Sequence, residues 1–557
     1  MSSPAPKHSA QPPGGGPPPK APPKKPKVRV KAHWPRRTLI VANGVVLVCL
    51  IAMGAAYGYV RYKIGSIATA PSTYETPPGC FDVACEIKIP KNETAHGDPE
   101  NILLIGNETR QGLTSKQQLQ FGSSLTYSGT LADIMMVLHL DPVNHTASIL
   151  SIPRDLFSPM PANSPVGSYQ KMDAALNDGS SGPDNLVQAI EDDLGIPINH
   201  FIELNFNGFI NSVNALGGIN VYFPDPVFDA ESLLNIGSAG CHHLDGFEAL
   251  ALVRARHLQY EPKGTGSPRY DWPFDPESDL ARIVRTHTFL KVVAQTAKSK
   301  GLTDPVAAAN FLSAILGQMT VDAPLKGQML SLILSYSHID PSKVPETTLP
   351  TTGVSNYYYQ GYGKGDVLFP VQPADNNVIK AWAGDVFPTP VAPTSVRVVS
   401  IAGSYDAALA AGQALATHGL KVTNESAGTV PANISETLVN YRPGDVAQAL
   451  DVMKYLSGAV MLQLDPSLAQ GAIEVDLGST VNVSAKPLTP TTAAPTTAPA
   501  TAVVPTTAAP TTAAPTTRSA SVRSSTTVAP PTTVPTPGGN PVSAAADQQQ
   551  PWDPRAC

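Results

Sequence analysis

Five arginines and a small set of carboxylates stand where chemistry could be done. Arg154 and Asp155 close Ser151-Ile-Pro-Arg-Asp155, just after the apolar run 146–152. Sites of α/β sheets gather at such strand ends. Arg254 and Arg256 alternate in Leu252-Val-Arg-Ala-Arg256, so an extended backbone would point both heads to one face. Asp279, Arg282 and Arg285 follow at i, i+3 and i+6 of a helical pattern. Asp133 opens an otherwise apolar strand, a place for a carboxylate that holds an ion or an arginine. Guanidinium forks meet phosphate oxygens at two points, and Mg²⁺ takes a carboxylate together with substrate phosphates. The constellation therefore suggests a pyrophosphate substrate, although each arginine taken alone could equally be a surface or salt-bridged residue. There is no GxSxG elbow, phosphate loop, GxGxxG or HExxH. Cys241-His242-His243 is too tight to enclose a tetrahedral ion, and His200 and His287 read as structural histidines.

The elements that must position these residues read as alternating strands and helices. Short apolar runs at 101–106, 133–140 and 146–152 predict three strands. The segment 183–194 predicts a helix, with Pro183 in its first turn, Leu186, Ile190 and Leu194 on one stripe and Gly195 as its stop. A strand over 200–206, a helix over 208–216 with Phe209, Val213 and Leu216 inward, and a strand over 219–223 follow. Ser278 reads as the N-cap of a long amphipathic helix over 278–298. A second unit starts near residue 395, with strands at 396–401, 421–423 and 472–477 and helices at 407–418 and 445–456. Such alternation argues for a layered α/β domain followed by a compact unit of its own.

The ends differ from the middle. The chain has 557 residues with 56 Pro and 43 Gly, more than an average share, so a single compact domain is excluded. Residues 1–37 are Pro/Gly/Lys-rich, carry no Asp or Glu, and are expected to be disordered. The net charge of −6 therefore falls on an acidic body, which argues against nucleic acid as its partner. Residues 38–60 are uncharged; at about 1.5 Å per residue they match a hydrocarbon core of roughly 30 Å. Seven Lys/Arg lie shortly before this span and two closely after, so the N-terminus is expected in the cytoplasm, with a stalk over 61–95 outside. The alternative is a cleaved signal peptide, because Ala68-Thr69-Ala70 has the form of a cleavage site. In an oxidising exterior a local Cys80–Cys85 disulfide is plausible, with Cys241 open as another partner. From about 487 to 557 the theme PTTAAPTT repeats with almost no large apolar side chain before Trp552. This stretch is expected to be a disordered, dispensable tail.

The order of these motifs resembles the LytR-CpsA-Psr family of cell-wall transferases. The resemblance runs through residues 101–106, 133–142, 151–155, 171–179, 200–218, 244–250, 252–256 and 279–289, and the segment 395–484 looks like the LytR C-terminal domain. It implies an α-β-α catalytic domain over 96–390 enclosing a hydrophobic tunnel, and a small α/β domain over 391–486. It implies transfer of a glycopolymer from a polyprenyl-pyrophosphate carrier to peptidoglycan, with Mg²⁺, by a single-pass bacterial membrane protein. Carried over residue by residue, Asp133 takes the metal-associated position and Arg154 the strand-end arginine. Arg254 and Arg256 take the pyrophosphate-facing pair, Lys171 the lysine of a KINAAY-like segment, and Asp279, Arg282 and Arg285 the helix closing the head-group site. Asp133 or Asp155 would take the acceptor proton. Three departures stand out: Glu108 replaces the usual aspartate after the first strand and would share the metal, no arginine precedes Asp133, and Arg-Gln-Gln is Arg285-Thr286-His287. These departures keep a non-catalytic wall-binding scaffold and a carrier pyrophosphatase as alternatives.

Overall fold

The computed structural model describes residues 98–301 and 319–483, apart from short breaks within them, together with 549–557 and residues 58, 62, 68 and 69. The uncharged span 38–60 and Cys80 and Cys85 lie outside the described residues, Gly58 excepted. Among the described residues no helix is long and apolar enough to cross a membrane.

A mixed seven-stranded sheet carries the site. The strand Glu100–Asn107 lies near its centre, parallel to His200–Leu204 on one side and antiparallel to Ala132–Asp141 on the other. Ala132–Asp141 pairs antiparallel with Thr146–Ser151, and Glu346–Thr348 closes that edge. At the other edge Met319–Val321 pairs with His200–Leu204, and Ala68–Thr69, within the expected stalk, pairs with Met319–Val321. The apolar runs at 101–106 and 133–140 are buried on both faces, as expected of strands covered by helices. One cover is the helix Gly182–Leu194, with Leu186, Ile190 and Leu194 inward; it ends at Gly195, whose φ of 65° suits glycine. Asn205 accepts from the Gly208 amide and starts the helix Phe206–Ala215, so the strand before it stops at Leu204 rather than at Phe206.

The second unit is not a body of its own. Its strands Ser395–Ser400, Val422–Ala427, Thr437–Tyr441, Leu456–Leu464 and Ala472–Leu477 form one sheet with the hairpin Thr351–Tyr359 and Tyr362–Gln372, through Val371 opposite Ala459. One hydrophobic core runs from Leu103 and Ile190 through Trp382 and Phe387 to Val398 and Val475. A boundary near residue 390 thus falls inside a shared core.

The end of the chain corrects the expectation of a wholly disordered tail. Arg555–Ala556 adds a strand to Ile219–Phe223, opposite Tyr222 and Val221. Trp552 stacks on Tyr260 with ring centres 4.0 Å apart, and Asp553 is 1 % exposed. Cys557 is joined to Cys241 in a disulfide. The few large side chains in an otherwise Thr/Pro/Ala-rich stretch are the ones that pack. Residues 484–548 lie outside the described residues.

Candidate active site

The site is built where three strand ends and two helices meet. Ala132–Asp141 begins at the sheet end where Thr146–Ser151 stops, and the Ile152 amide still donates to the Met135 carbonyl at 2.9 Å. Asp133 therefore faces the turn that follows Ser151, and Arg154 Nη1 donates to Asp133 Oδ1 at 2.5 Å. Arg154 Nε lies 3.4 Å from Asp155 and 3.9 Å from Asp279, while Lys171 Nζ holds Asp155 from behind at 2.7 Å. Glu100–Asn107 runs antiparallel to Ala132–Asp141 and ends opposite Ala132, which brings Glu108 to Asp133; the Glu108 amide donates to the Leu131 carbonyl.

Helices supply the other cations. Asp245 and Glu248 form a reciprocal capping box that starts the helix Gly246–Arg254, and Arg254 lies in its last turn, where a cation suits the helix dipole. Leu252–Arg254 is helical and only Ala255 is extended, so the expected extended pair is corrected: the turn of the chain at Ala255, not strand alternation, brings both arginines to the site. The helix Ser278–Gly301 presents Asp279 and Arg282 in a two-point pair at 3.0 and 3.1 Å.

These groups open on a cavity of about 410 Å³ with two characters. Its lining mixes charge with apolar surface: Glu108, Asp133, Arg154, Arg254, Arg256 and Arg282 lie among Ile134, Leu204, Phe206, Phe209, Leu250 and Val253, with Glu231 and His257 also in the lining. The Arg254 guanidinium lies 4.7 Å from the Phe206 ring centre and 5.1 Å from that of Phe121, and its buried Nη1 has no hydrogen-bond partner among the described residues. A buried donor of that kind costs about 1–3 kcal/mol unless something accepts from it.

The electrostatics fit an anion. Burial pushes the Arg254 guanidinium down, and neighbouring Arg110 and Arg256 act in the same sense against Asp133 and Glu108. An incoming phosphate would relieve both effects. Burial and the Asp133 charge push the Glu108 carboxyl up. Burial pushes Asp279 up too, but Arg282, helped by Arg154 and Arg256, holds it below the usual carboxylate range.

The sequence-predicted residues therefore fall into three groups. Glu108, Asp133, Arg154, Arg254, Arg256 and Arg282 line the cavity; Asp155, Lys171 and Asp279 stand behind it and fix Arg154 and Arg282. Arg285 is corrected: it is fully buried away from the cavity, between Asp275 at 2.7 Å and Asp553 at 3.3 Å, with Nη2 on the Ala255 carbonyl at 2.8 Å. Four functional neighbours were missed. Arg110, two residues past Glu108, braces the loop by bonding the Glu108 and Phe121 carbonyls. Phe121 and Phe206 form the aromatic seat of Arg254. Asp173 is buried beside Arg154 and its carboxyl is pushed up to about 7 by burial. Its position two residues after Lys171 was its only signal. His200 and His287 are structural, bonded to Asp322 and Ser151.

The family profile described as the LytR_cpsA_psr family matches residues 82–368. The chain belongs to this family. Its similarity to curated LytR_cpsA_psr relatives is partial in length. It is 32 % identical over 233 residues to the probable cell wall biosynthesis protein LcpB of Corynebacterium glutamicum, across 42 % of this chain and 50 % of that one. It is 37 % identical over 132 residues to TagV of Bacillus subtilis, a polyisoprenyl-teichoic acid–peptidoglycan teichoic acid transferase, across 22 % of this chain and 32 % of TagV. The chain spans about half the length, or less, of these relatives. Among solved structures, that of B. subtilis TagV is similar with a TM-score of 0.40 at 24 % identity, covering 53 % of this chain and 99 % of that one.

Proposed function

We propose that this chain transfers a cell-wall glycopolymer from a polyprenyl-pyrophosphate carrier onto peptidoglycan. The observation that carries the reading is the cavity itself. Four guanidinium groups, one with a buried donor that has no partner among the described residues, line it together with the carboxylates of Glu108, Asp133 and Glu231 and with apolar side chains. The guanidinium groups suit a pyrophosphate and the apolar lining suits the start of a polyprenyl chain, as the entrance to the expected hydrophobic tunnel. LcpB and TagV, named for cell-wall biosynthesis and teichoic acid transfer, support the same reading.

Arg254, Arg256 and Arg282 bind the pyrophosphate oxygens, and Arg154, fixed by Asp133 and Asp155, is pre-aimed at the phosphate that accepts the acceptor hydroxyl. Such pre-aimed donors stabilise charge without reorganising at the moment of reaction. One of the two aspartates beside Arg154, Asp133 or Asp155, takes the hydroxyl proton. The phosphate–glycan unit leaves its carrier oxygen and the polyprenyl phosphate keeps the other phosphate.

Mg²⁺ suits this donor set. Glu108 and Asp133 face one cavity closely enough for the Asp133 charge to act on Glu108, and Mg²⁺ takes one or two carboxylates with substrate phosphates. Among the described residues no group of three or more acidic, His or Cys side chains could hold a metal, so the substrate would complete the shell. Glu108 and Asp133 would hold the ion, which would neutralise phosphate charge.

In this reading the segment 38–60 anchors the protein once in a bacterial membrane, with residues 1–37 cytoplasmic and the rest facing the wall. The test is transfer from a polyprenyl-pyrophosphate glycan to a peptidoglycan fragment by the detergent-purified full chain, with Mg²⁺ and then with chelator. Product that depends on Mg²⁺ supports the reading; release of glycan phosphate and polyprenyl phosphate without acceptor modification would make the protein a pyrophosphatase, and no turnover a scaffold.

A further inference from the structure

The loop that carries Arg256 is gripped at both ends by the last residues of the chain. At one end, Asp553 meets Arg285 Nη1 at 3.3 Å and Arg285 Nη2 donates to the carbonyl of Ala255, the residue between the two site arginines, at 2.8 Å. At the other end, Trp552 lies flat on Tyr260, 4.0 Å between ring centres and 5° from parallel. Between these grips, Arg256 and His257 line the cavity. The gripping segment is itself fixed. The Gln550 amide donates to Asp553 at 2.8 Å, Arg555–Ala556 pairs with Ile219–Phe223, and Cys557 is joined to Cys241.

We propose that residues 549–557 are a positioning element that sets the 255–260 loop, and with it Arg256, for the carrier pyrophosphate. The proposal rests on the transferase reading above. The physical case is one of freedom and reach. An arginine on a loop loses affinity for every conformation in which its fork misses the phosphate, so bracing the loop concentrates it in the binding arrangement. Asp275 alone could balance the Arg285 charge, yet Asp553 is spent on the same guanidinium, and it arrives from 268 positions away. The Trp552 stack acts at Tyr260, four residues past Arg256, where a purely local tether of the terminus would have no need of it. The long Thr/Pro/Ala-rich stretch thus ends in a docked segment rather than a free end.

The test uses full-length protein in detergent with Trp552→Ala, Asp553→Ala and the conservative Trp552→Phe. Three quantities are read: affinity for farnesyl pyrophosphate as a short carrier, thermal midpoint, and hydrogen exchange of the peptide over 252–261. Both alanine variants are expected to weaken binding roughly five- to tenfold, about 1–1.4 kcal/mol, and to speed exchange at 255–260 but not in the helix 278–301. Trp552→Phe should restore binding to within about twofold, since the ring stack survives. A terminus that is only a structural tether would lower the midpoint while leaving affinity and loop exchange as in the parent, and that result would overturn the proposal. If an alanine variant does not fold, Cys557→Ser, which loosens the segment without touching Arg285 or Tyr260, decides by the same readouts. If the parent itself binds no pyrophosphate, the transferase reading fails, and unchanged loop exchange would then independently end the positioning claim.

Discussion

The guanidinium of Arg254 rests over the ring of Phe206 at 4.7 Å, and one of its buried nitrogens has no hydrogen-bond partner among the described residues. The aromatic face holds the cation in place without using its hydrogen-bonding capacity. Arg254→Ala is expected to cut transfer about tenfold to hundredfold, because a hydrogen bond to a charged group contributes roughly 1.5–3 kcal/mol. Arg254→Lys should recover only part, since an ammonium makes no two-point contact. Arg397, paired with Glu474 on the far sheet, is the control whose loss should leave transfer unchanged. Near-parent rates in folded Arg254→Ala would show the arginine to be structural.

Arg154 should behave differently from Arg254. It is mostly buried and answers Asp133 and Asp155 at once. Arg154→Ala leaves Asp133 without this partner while Lys171 still holds Asp155, so stability should fall by about 1–3 kcal/mol along with transfer. Urea unfolding of the two alanine variants separates them, with a clear midpoint loss for Arg154 and a small one for Arg254.

Arg285→Ala should be a stability variant. The side chain is fully buried between Asp275 and Asp553, and its removal strands two carboxylates. A loss of about 3–5 kcal/mol is expected. Carrier binding by a stably folded Arg285→Ala protein as tight as in the parent would contradict the link through Ala255.

His287 gives the acid limb a defined sign. Burial, aided by Lys291, holds its imidazole down at about 4 against the ordinary 6.5, and Ser151 bonds it at 2.6 Å. The unfolded chain takes up the proton first, so this contribution is full above about pH 6.5 and is lost as pH falls towards 4. Replacing His287 by Gln should flatten that part of the stability–pH curve. The difference between parent and variant isolates the histidine from Asp173 and Asp193, whose carboxyls burial raises to about 7 and which act in the opposite sense. A variant curve parallel to the parent between pH 7 and 5 would refute the assignment.

The two sheets should melt as one. The hairpin 351–372 pairs with Leu456–Leu464 and the core is continuous between the units. A fragment of residues 391–486 alone would expose that strand edge and half of a shared core, and is expected to be poorly folded or aggregated. A cooperative melt of the isolated fragment would show the unit to be autonomous.

Much of the site was legible because it depends on local patterns. Apolar runs ended by Asp133 and by Pro153-Arg154 mark strand ends, and i, i+3 spacing pairs Asp279 with Arg282 whatever the surroundings. These signals need only periodicity and short-range sterics. The helix 182–194 and its glycine stop, and most strands of the second unit, were readable on the same grounds.

Other features were decided by contacts between distant positions. Arg285 has the spacing of a site residue, but the chain brings Asp275 and, from the far end, Asp553 to it, and a buried guanidinium goes where its carboxylates are. Arg254 and Arg256 suggested a strand by alternation; the capping box at Asp245 and Glu248 starts a helix that carries through Arg254 instead. Cys241 found Cys557 because strand pairing brings the terminus to Tyr222, which spacing along the chain does not encode. The composition of residues 487–557 reports that most of them have nothing to bury. Only the folded body, with Tyr260 and Arg285 waiting as partners, gives Trp552 and Asp553 a place to pack.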